Sequence, residues 1–497
     1  MGLCAVSQVA FAEQLPPGTH ARTFVSAQDG ASQPYNLFLP AAHEGTGSPL
    51  PLVVALHGHG ATWESWFAAT TVREWAEERG WIVLCPQGRG NFFYLGSGER
   101  DVFEAIGDAR TVARIDSDRI FLIGHSMGGW GTWHTAAAHP DFFAGIAPMA
   151  GWAPVELVGN LEFLDPLVIH GDADEAVPVR FGRRAVAALA DAGISHRYLE
   201  LPGVGHESSM ISRMLPAIGE HFAGRTRIQR PDHIVHRAFT PTRGKAWWAS
   251  IRAVEEPGRL ASIDLRLAKE GELAIKAENV SELILDPLEH PGLLAEGGVL
   301  RAPHLKKRSM AVVVVPDPKT HVVRLVVANG EYEWSAVERA KVPPVASPIV
   351  GKVITPWKEI APRLAKLIEE RTGADVGLFP TNFILPAPLS GDVALDQLLD
   401  LYPRPEDGVA LRTMSKAELD FVLSKESNLF PAWWGPVVAS REAVFADPSK
   451  RIPVAMTTQM AEQLDARRAG GEPLDSDPGQ PGLKMMIIDQ AGRGGGL

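Results

Sequence analysis

The side chains in this sequence that could do covalent chemistry together are a serine, an acid and a histidine, in that order along the chain. Ser126 stands in Gly124-His125-Ser126-Met127-Gly128, where the apolar run Phe121-Leu122-Ile123 passes into a helix-prone stretch. A serine hydroxyl is a weak nucleophile until a sharp strand-to-helix turn lifts it clear of a sheet and a base takes its proton. Gly124 and Gly128 suit such a turn, because a Cβ at either position would press on the neighbouring strand or helix. The acid is sought in His170-Gly171-Asp172-Ala173-Asp174, the base in Val204-Gly205-His206. His206 would accept the serine proton and return it to a leaving alcohol, while Asp172 or Asp174 holds the imidazole tautomer. Charge on a tetrahedral oxygen needs two preorganised donors. The expected pair is the backbone amide of Met127, next after the nucleophile, and that of His59, in His57-Gly58-His59-Gly60. His57 and His59 have no third partner at metal-ligand spacing, so neither metal nor cofactor is expected.

These groups need a scaffold, and residues 20–225 alternate short apolar runs with helical patterns. Arg22 to Leu39, with a turn signal at Asp29-Gly30, predicts a leading hairpin. Leu52 to Leu56, Trp81 to Pro86, the run ending at Ser126, Phe143 to Ala147, Leu167 to His170 and Arg197 to Leu201 read as strands, and the first of these as one buried on both faces. Trp63 to Arg79 and Asp101 to Ala113 read as helices between them. Alternation of this kind predicts an α/β class with a doubly wound, mostly parallel sheet, in which functional groups sit at the carboxyl ends of the strands. Only about fifteen residues separate Gly151 from Leu167, too few for a helical cap, so an open cleft is expected. Tyr94, Trp130 and Trp152 are the aromatic candidates to reach it, and would suit an aromatic or polymeric acyl group; Trp133 reads as core.

Four pieces, His57-Gly58-His59-Gly60, Gly124 to Trp133, His170-Gly171 with Asp174 and Val177-Pro178, and Gly205-His206, together resemble the esterase and prolyl-oligopeptidase-like α/β-hydrolases. Within that superfamily they are most similar to the feruloyl esterase and polyhydroxyalkanoate depolymerase type. The resemblance implies a serine carboxylester hydrolase working through an acyl-enzyme on an aromatic, acetyl or polymer-linked ester. It also implies that Asp174, just ahead of the Val-Pro pair, is the acid rather than Asp172. A serine peptidase or amidase with the same triad is the alternative within catalysis. A ligand-binding protein acting through its C-terminal domain is the alternative outside it.

With 497 residues, two or three domains are expected. A formal charge of −11 argues against a nucleic-acid partner, which needs local positive potential, and Lys306-Lys307-Arg308 reads as a solvated loop. Of the two cysteines, Cys85 lies in an apolar run, and no disulfide framework is implied. Residues 1–19 read as a leader whose Val9-Ala10-Phe11-Ala12 resembles the end of a secretory signal, which predicts a periplasmic or secreted protein. No stretch is long and apolar enough for a membrane helix, and the expected partner is a small-molecule or polymeric ester; the oligomeric state is not legible.

Residues 226–342 alternate in short runs that predict a sandwich-like β-rich domain behind a polar linker from Arg225 to Arg237. Trp247 and Trp248 cannot both face the core of one strand, so one is expected to be exposed or at a domain contact. Residues 343–485 begin at Pro343-Pro344 and carry a helical pattern from Pro356 to Arg371, then Gly373-Ala374-Asp375. They resemble the C-terminal substrate-binding domain of 5′-nucleotidases, with an α/β organisation. Thr381-Asn382-Phe383-Ile384-Leu385-Pro386 stands where that family has its Asn-x-Gly-Gly-x-Arg loop. Trp433-Trp434 reads as a stacking surface or a packed helix end, and residues 486–497 as a flexible tail.

Overall fold

The computed structural model describes residues 14–345 apart from 46, 269–271, 295–296, 304–309, 329–330, and beyond them the segments 349–353, 364–369, 376–380, 391–394, 409–423, 437–439, 451–457 and residue 460. The leader motif, Lys306 to Arg308, Gly373 to Asp375, the loop from Thr381 to Pro386, Trp433-Trp434 and the tail lie outside the described residues.

Eight strands build the first sheet: β1 (Gly18–Val25), β2 (Ser32–Leu39), β3 (Leu50–Leu56), β4 (Ile82–Pro86), β5 (Ile115–His125), β6 (Gly145–Met149), β7 (Leu167–Gly171) and β8 (Arg197–Leu201). Their order is β1-β2-β4-β3-β5-β6-β7-β8. β1 and β2 form the expected antiparallel hairpin, β2 joins β4 antiparallel, and the strands from β4 to β8 run parallel. β3 shows why its run is continuously apolar. Leu52, Val54 and Leu56 enter the core on one face, Val53 and Ala55 that on the other, and none of the five is exposed. Among the described residues of this first unit, the α-helices are, in chain order, α1 (Ala42–Gly45), α2 (Ser65–Ala69), α3 (Val72–Arg79), α4 (Ser97–Val112), α5 (Met127–Ala138), α6 (Arg180–Asp191) and α7 (Ser209–Phe222).

The single helix expected from Trp63 to Arg79 is two, α2 and α3, broken at Thr70-Thr71. Thr70 Oγ1 donates to the carbonyl of Trp66 at 2.6 Å and accepts from the amide of Val72, so a side chain takes over bonds the helix ladder would otherwise make. The amide of Thr71 then bonds Ser212 on α7, fixing the break beside the carboxyl ends of the strands.

Behind the first sheet lie β9 (His233–Ala238), β10 (Lys245–Ala246), β11 (Ala249–Ala253), β12 (Ala261–Leu267), β13 (Leu273–Glu278), β14 (Glu282–Leu285), β15 (Val299–Pro303), β16 (Met310–Val314), β17 (His321–Ala328) and β18 (Glu331–Glu338). They pair as a five-stranded sheet β10-β11-β14-β17-β18, a three-stranded sheet β13-β12-β9 and a ribbon β15-β16, sharing one apolar core that includes Ile263, Leu283, Leu300 and Leu325. His233 to Arg237, read as linker, belong to strand β9. The contact expected of one of the two tryptophans is made by Trp247, but the premise that they share a strand changes. Trp247 and Trp248 do not sit in one strand but occupy the tight turn between β10 and β11, with Trp247 at φ 45°. Both indoles are buried, donating to the carbonyls of Ile228 and Pro231 at 2.8 Å, and Trp247 also packs edge-on against Phe163 of the first unit.

The β-rich part is keyed into the first sheet's surroundings by buried polar contacts. Asn160, almost fully enclosed, donates to Ala137 O at the end of α5 and pairs with both backbone groups of Arg237 on β9, at 2.8 to 2.9 Å. Arg243 reaches Glu99 on α4 at 2.8 Å, and His139 holds the other oxygen of that carboxylate. Burial alone would raise the Glu99 carboxyl, but Arg243, His139 and His134 overcome it and hold it well below the ordinary carboxylate range.

Candidate active site

β5 ends at His125 and α5 begins at Met127, so Ser126 is the whole turn between strand and helix. Its φ of 60° lies in the left-handed region that non-glycine residues avoid, a strain of about 1–3 kcal/mol that the surroundings must hold. Its amide does so in part, donating to Met149 O on β6 at 2.9 Å. The flanking glycines are required by contact distance. A Cβ on Gly124 would stand 2.2 Å from Gly128 O, and one on Gly128 2.1 Å from Leu56 O on β3.

His206 arrives on the loop after β8, and its Nε2 lies 2.8 Å from Ser126 Oγ. Its Nδ1 lies 2.7 Å from Asp174 Oδ2. A carboxylate can only accept, so Nδ1 carries the proton and Nε2 presents a lone pair to the serine O–H. Asp174, on the loop after β7, has its side chain wholly enclosed. Its Oδ1 accepts from the amides of Ala176 (3.0 Å) and Val177 (2.7 Å), which aims Oδ2 at the histidine. The buried His170 braces the same loop, its Nε2 donating to Val177 O at 2.7 Å. Asp172, the competing acid, is exposed and accepts from the amide of Gly203 at 2.6 Å.

The serine and histidine open into a cleft of about 380 Å³ lined further by Gly58, His59, Trp66 and Ile211. The loop after β3 passes directly over Ser126: a Cβ on Gly58 would be 3.6 Å from Ser126 Cβ. His59 is thereby brought to the same cleft. Met127 opens α5, where first-turn amides lack intrahelical acceptors.

The aromatic candidates are corrected. Tyr94, Trp130 and Trp152 are each no more than 2% exposed and belong to the apolar core, not to the residues lining the cleft. Trp130 and Trp152 stack on each other with centroids 5.3 Å apart. Tyr94 instead accepts from the amide of His57 at 2.8 Å, so it supports the loop over Ser126 from beneath. Trp133 is core, as expected. The cleft wall that sequence reasoning missed is Trp66 on α2, with Ile211 and Ser208 at the start of α7. Helical spacing over Trp63 to Arg79 did not single out Trp66, which is buried in the core and also lines the cleft.

Among the described residues no group of acidic, histidine or cysteine side chains could hold a metal ion, and no helix is long and apolar enough to cross a membrane.

A mostly parallel eight-stranded sheet with a nucleophile elbow after β5 is the α/β-hydrolase arrangement. Residues 99–223 match the family described as phospholipase/carboxylesterase. The chain is similar to cutinase 2 of Thermobifida cellulosilytica, 37% identical over 103 residues, 20% of this chain and 38% of that protein. It is similar to feruloyl esterase B of Thermothelomyces thermophilus, 28% identical over 115 residues, 21% of this chain and 40% of that protein. It is also similar to an uncharacterized secreted protein of Arthroderma benhamiae, 27% identical over 215 residues, 35% of this chain and 23% of that protein. The chain spans half or less of the length of these curated relatives. The unit built on the first sheet is an esterase-like α/β-hydrolase.

Proposed function

We propose that the protein is a serine carboxylester hydrolase that works through an acyl-enzyme. The observation that carries this is the hydrogen-bonded series Asp174–His206–Ser126, opening into a cleft. Ser126 Oγ attacks the ester carbonyl carbon as His206 Nε2 takes the hydroxyl proton, and the imidazolium formed is held by Asp174. The amides of Met127 and His59 receive the oxyanion. Collapse breaks the bond to the alkoxide, which leaves as alcohol with the proton from His206. Water, deprotonated by the same nitrogen, then attacks the acyl-enzyme and frees the acid and Ser126.

The substrate is an aromatic, acetyl or polymer-linked ester. Support comes from the kinship with a cutinase and a feruloyl esterase, and from a cleft whose apolar wall is Trp66 and Ile211. Similarity to a secreted protein supports action outside the cytoplasm. The test is a panel of feruloyl, acetyl-xylan, hydroxyalkanoate and aromatic polyester substrates, with aminoacyl amides in parallel, on the full chain and on Ser126→Ala. Ester turnover that falls about 10⁴-fold or more in the variant supports the reading. Turnover of amides in preference to every ester would replace it with a peptidase.

A further inference from the structure

We propose that His125 is a positioning residue for the base, its ring packed against that of His206 to hold the imidazole in the plane that serves Ser126. The inference rests on the triad reading above. His206 is gripped at two atoms, Nδ1 by Asp174 and Nε2 by Ser126. Two bonds at opposite ends of a ring define an axis and leave rotation about it to whatever lies on the ring's face. What lies there is His125, with centroids 4.9 Å apart and planes inclined by 36°.

The placement of His125 is firm. It closes β5, paired in register with Met149 of β6, and its side chain reaches the cleft beside Gly58 and His206 while staying 7% exposed. Its Nε2 is buried without a hydrogen-bond partner among the described residues, where an unsatisfied polar atom costs about 1–3 kcal/mol. The ring is thus placed for its face and not for a hydrogen bond at that nitrogen. It is also a neutral face. Burial first, then His206 and His170, push the His125 imidazole down to about 3 against the opposing pull of Asp174. The charge that forms on His206 during attack therefore meets a flat, uncharged ring and no second cation.

The test compares His125→Leu, which removes the ring at similar volume, with His125→Phe, which keeps a flat ring, and carries His125→Gln alongside in case the leucine variant does not fold. Each is measured for kcat, KM and the pH profile of kcat/KM, with the thermal midpoint as a check on folding and Ser126→Ala as the control for the reading beneath. A base that loses its orientation costs about tenfold to a hundredfold. The expected result is a fall of that size in kcat for Leu and Gln, KM within about twofold and an altered acid limb, and recovery to within about fivefold for Phe. The proposal is overturned if Leu and Gln keep wild-type kcat and pH profile, if the loss lies in KM alone, or if Phe loses as much as Leu. Turnover retained by Ser126→Ala would instead remove the triad reading itself.

Discussion

At the scale of single residues, the two aspartates after β7 are separated by what holds them. Asp174 is enclosed, fixed by two amides and bonded to His206, whereas Asp172 is exposed and ties only the Gly203 turn. Asp174→Asn should lower kcat about 10⁴-fold by presenting the wrong tautomer, while Asp172→Asn should stay within a few-fold of wild type. Steady-state kinetics on a chromogenic ester decides between them, and equal losses would mean the acid is misassigned. Tyr94 gives a second prediction. Removing its hydroxyl leaves the amide of His57 without its acceptor, so Tyr94→Phe should cost about 1–3 kcal/mol of stability, read by urea unfolding. An unchanged midpoint would show that the loop over Ser126 does not lean on that bond. The serine and histidine were legible from local sequence, a glycine-flanked turn and a Gly-His after a strand, whereas the choice of Asp174 over Asp172 came from the family resemblance of the segment before Val177-Pro178. Tyr94, Trp130 and Trp152 were misread because an aromatic side chain near a site in sequence carries no sign of which way it points.

At the scale of elements, the strands of the first sheet were legible to within about two residues where, as in β3 and β4, burial on both faces leaves an unbroken apolar run, whereas the polar first half of β5, from Ile115, was not. Nor was the break between α2 and α3, because it depends on Thr70 choosing the Trp66 carbonyl over solvent. β9 was hidden for a related reason. Its inner residues alternate correctly, but the outer side chains of His233 and Arg237 are satisfied by partners distant in sequence, Glu162 and Asp264 for the first and the Glu156 carbonyl for the second. A polar strand of this kind looks like linker until its partners are known. The same contacts make the β-rich part a buttress of the helices beside the site. Arg243→Met would leave Glu99 buried without its guanidinium, which should cost about 3–5 kcal/mol. Glu99→Gln combined with Arg243→Met should recover much of that loss in a double-mutant cycle. Additive losses in unfolding free energy would show that the two units are not joined through this pair.

At the scale of the molecule, stability should fall on mild acidification. Burial is the first cause that lowers His125 to about 3 and His236 to about 4, and it lowers His170 as well. Unfolded histidines bind protons below about pH 6.5, where these folded ones do not. The unfolded chain therefore takes up more protons from about pH 6.5 down to the folded values, about 4 for His236 and about 3 for His125, so stability is full above that window and drains as pH falls through it. Glu99, held low in the folded state, adds a further loss only below the ordinary carboxylate range, as pH falls toward its folded value. Urea unfolding at pH 7, 6 and 5 should show a slope exceeding about 1.4 kcal/mol per unit, the mark of more than one proton. A flat profile would contradict the burial of these rings. Whether the whole molecule is a serine-dependent catalyst is decided by treating the full chain with a p-nitrophenyl phosphonate ester, followed by intact-mass and peptide analysis. The expected result is a burst of about one equivalent of p-nitrophenol, inactivation, and a single adduct on Ser126 that is absent from Ser126→Ala. Ester hydrolysis that persists while Ser126 stays unmodified, or an adduct formed on another residue, would contradict it.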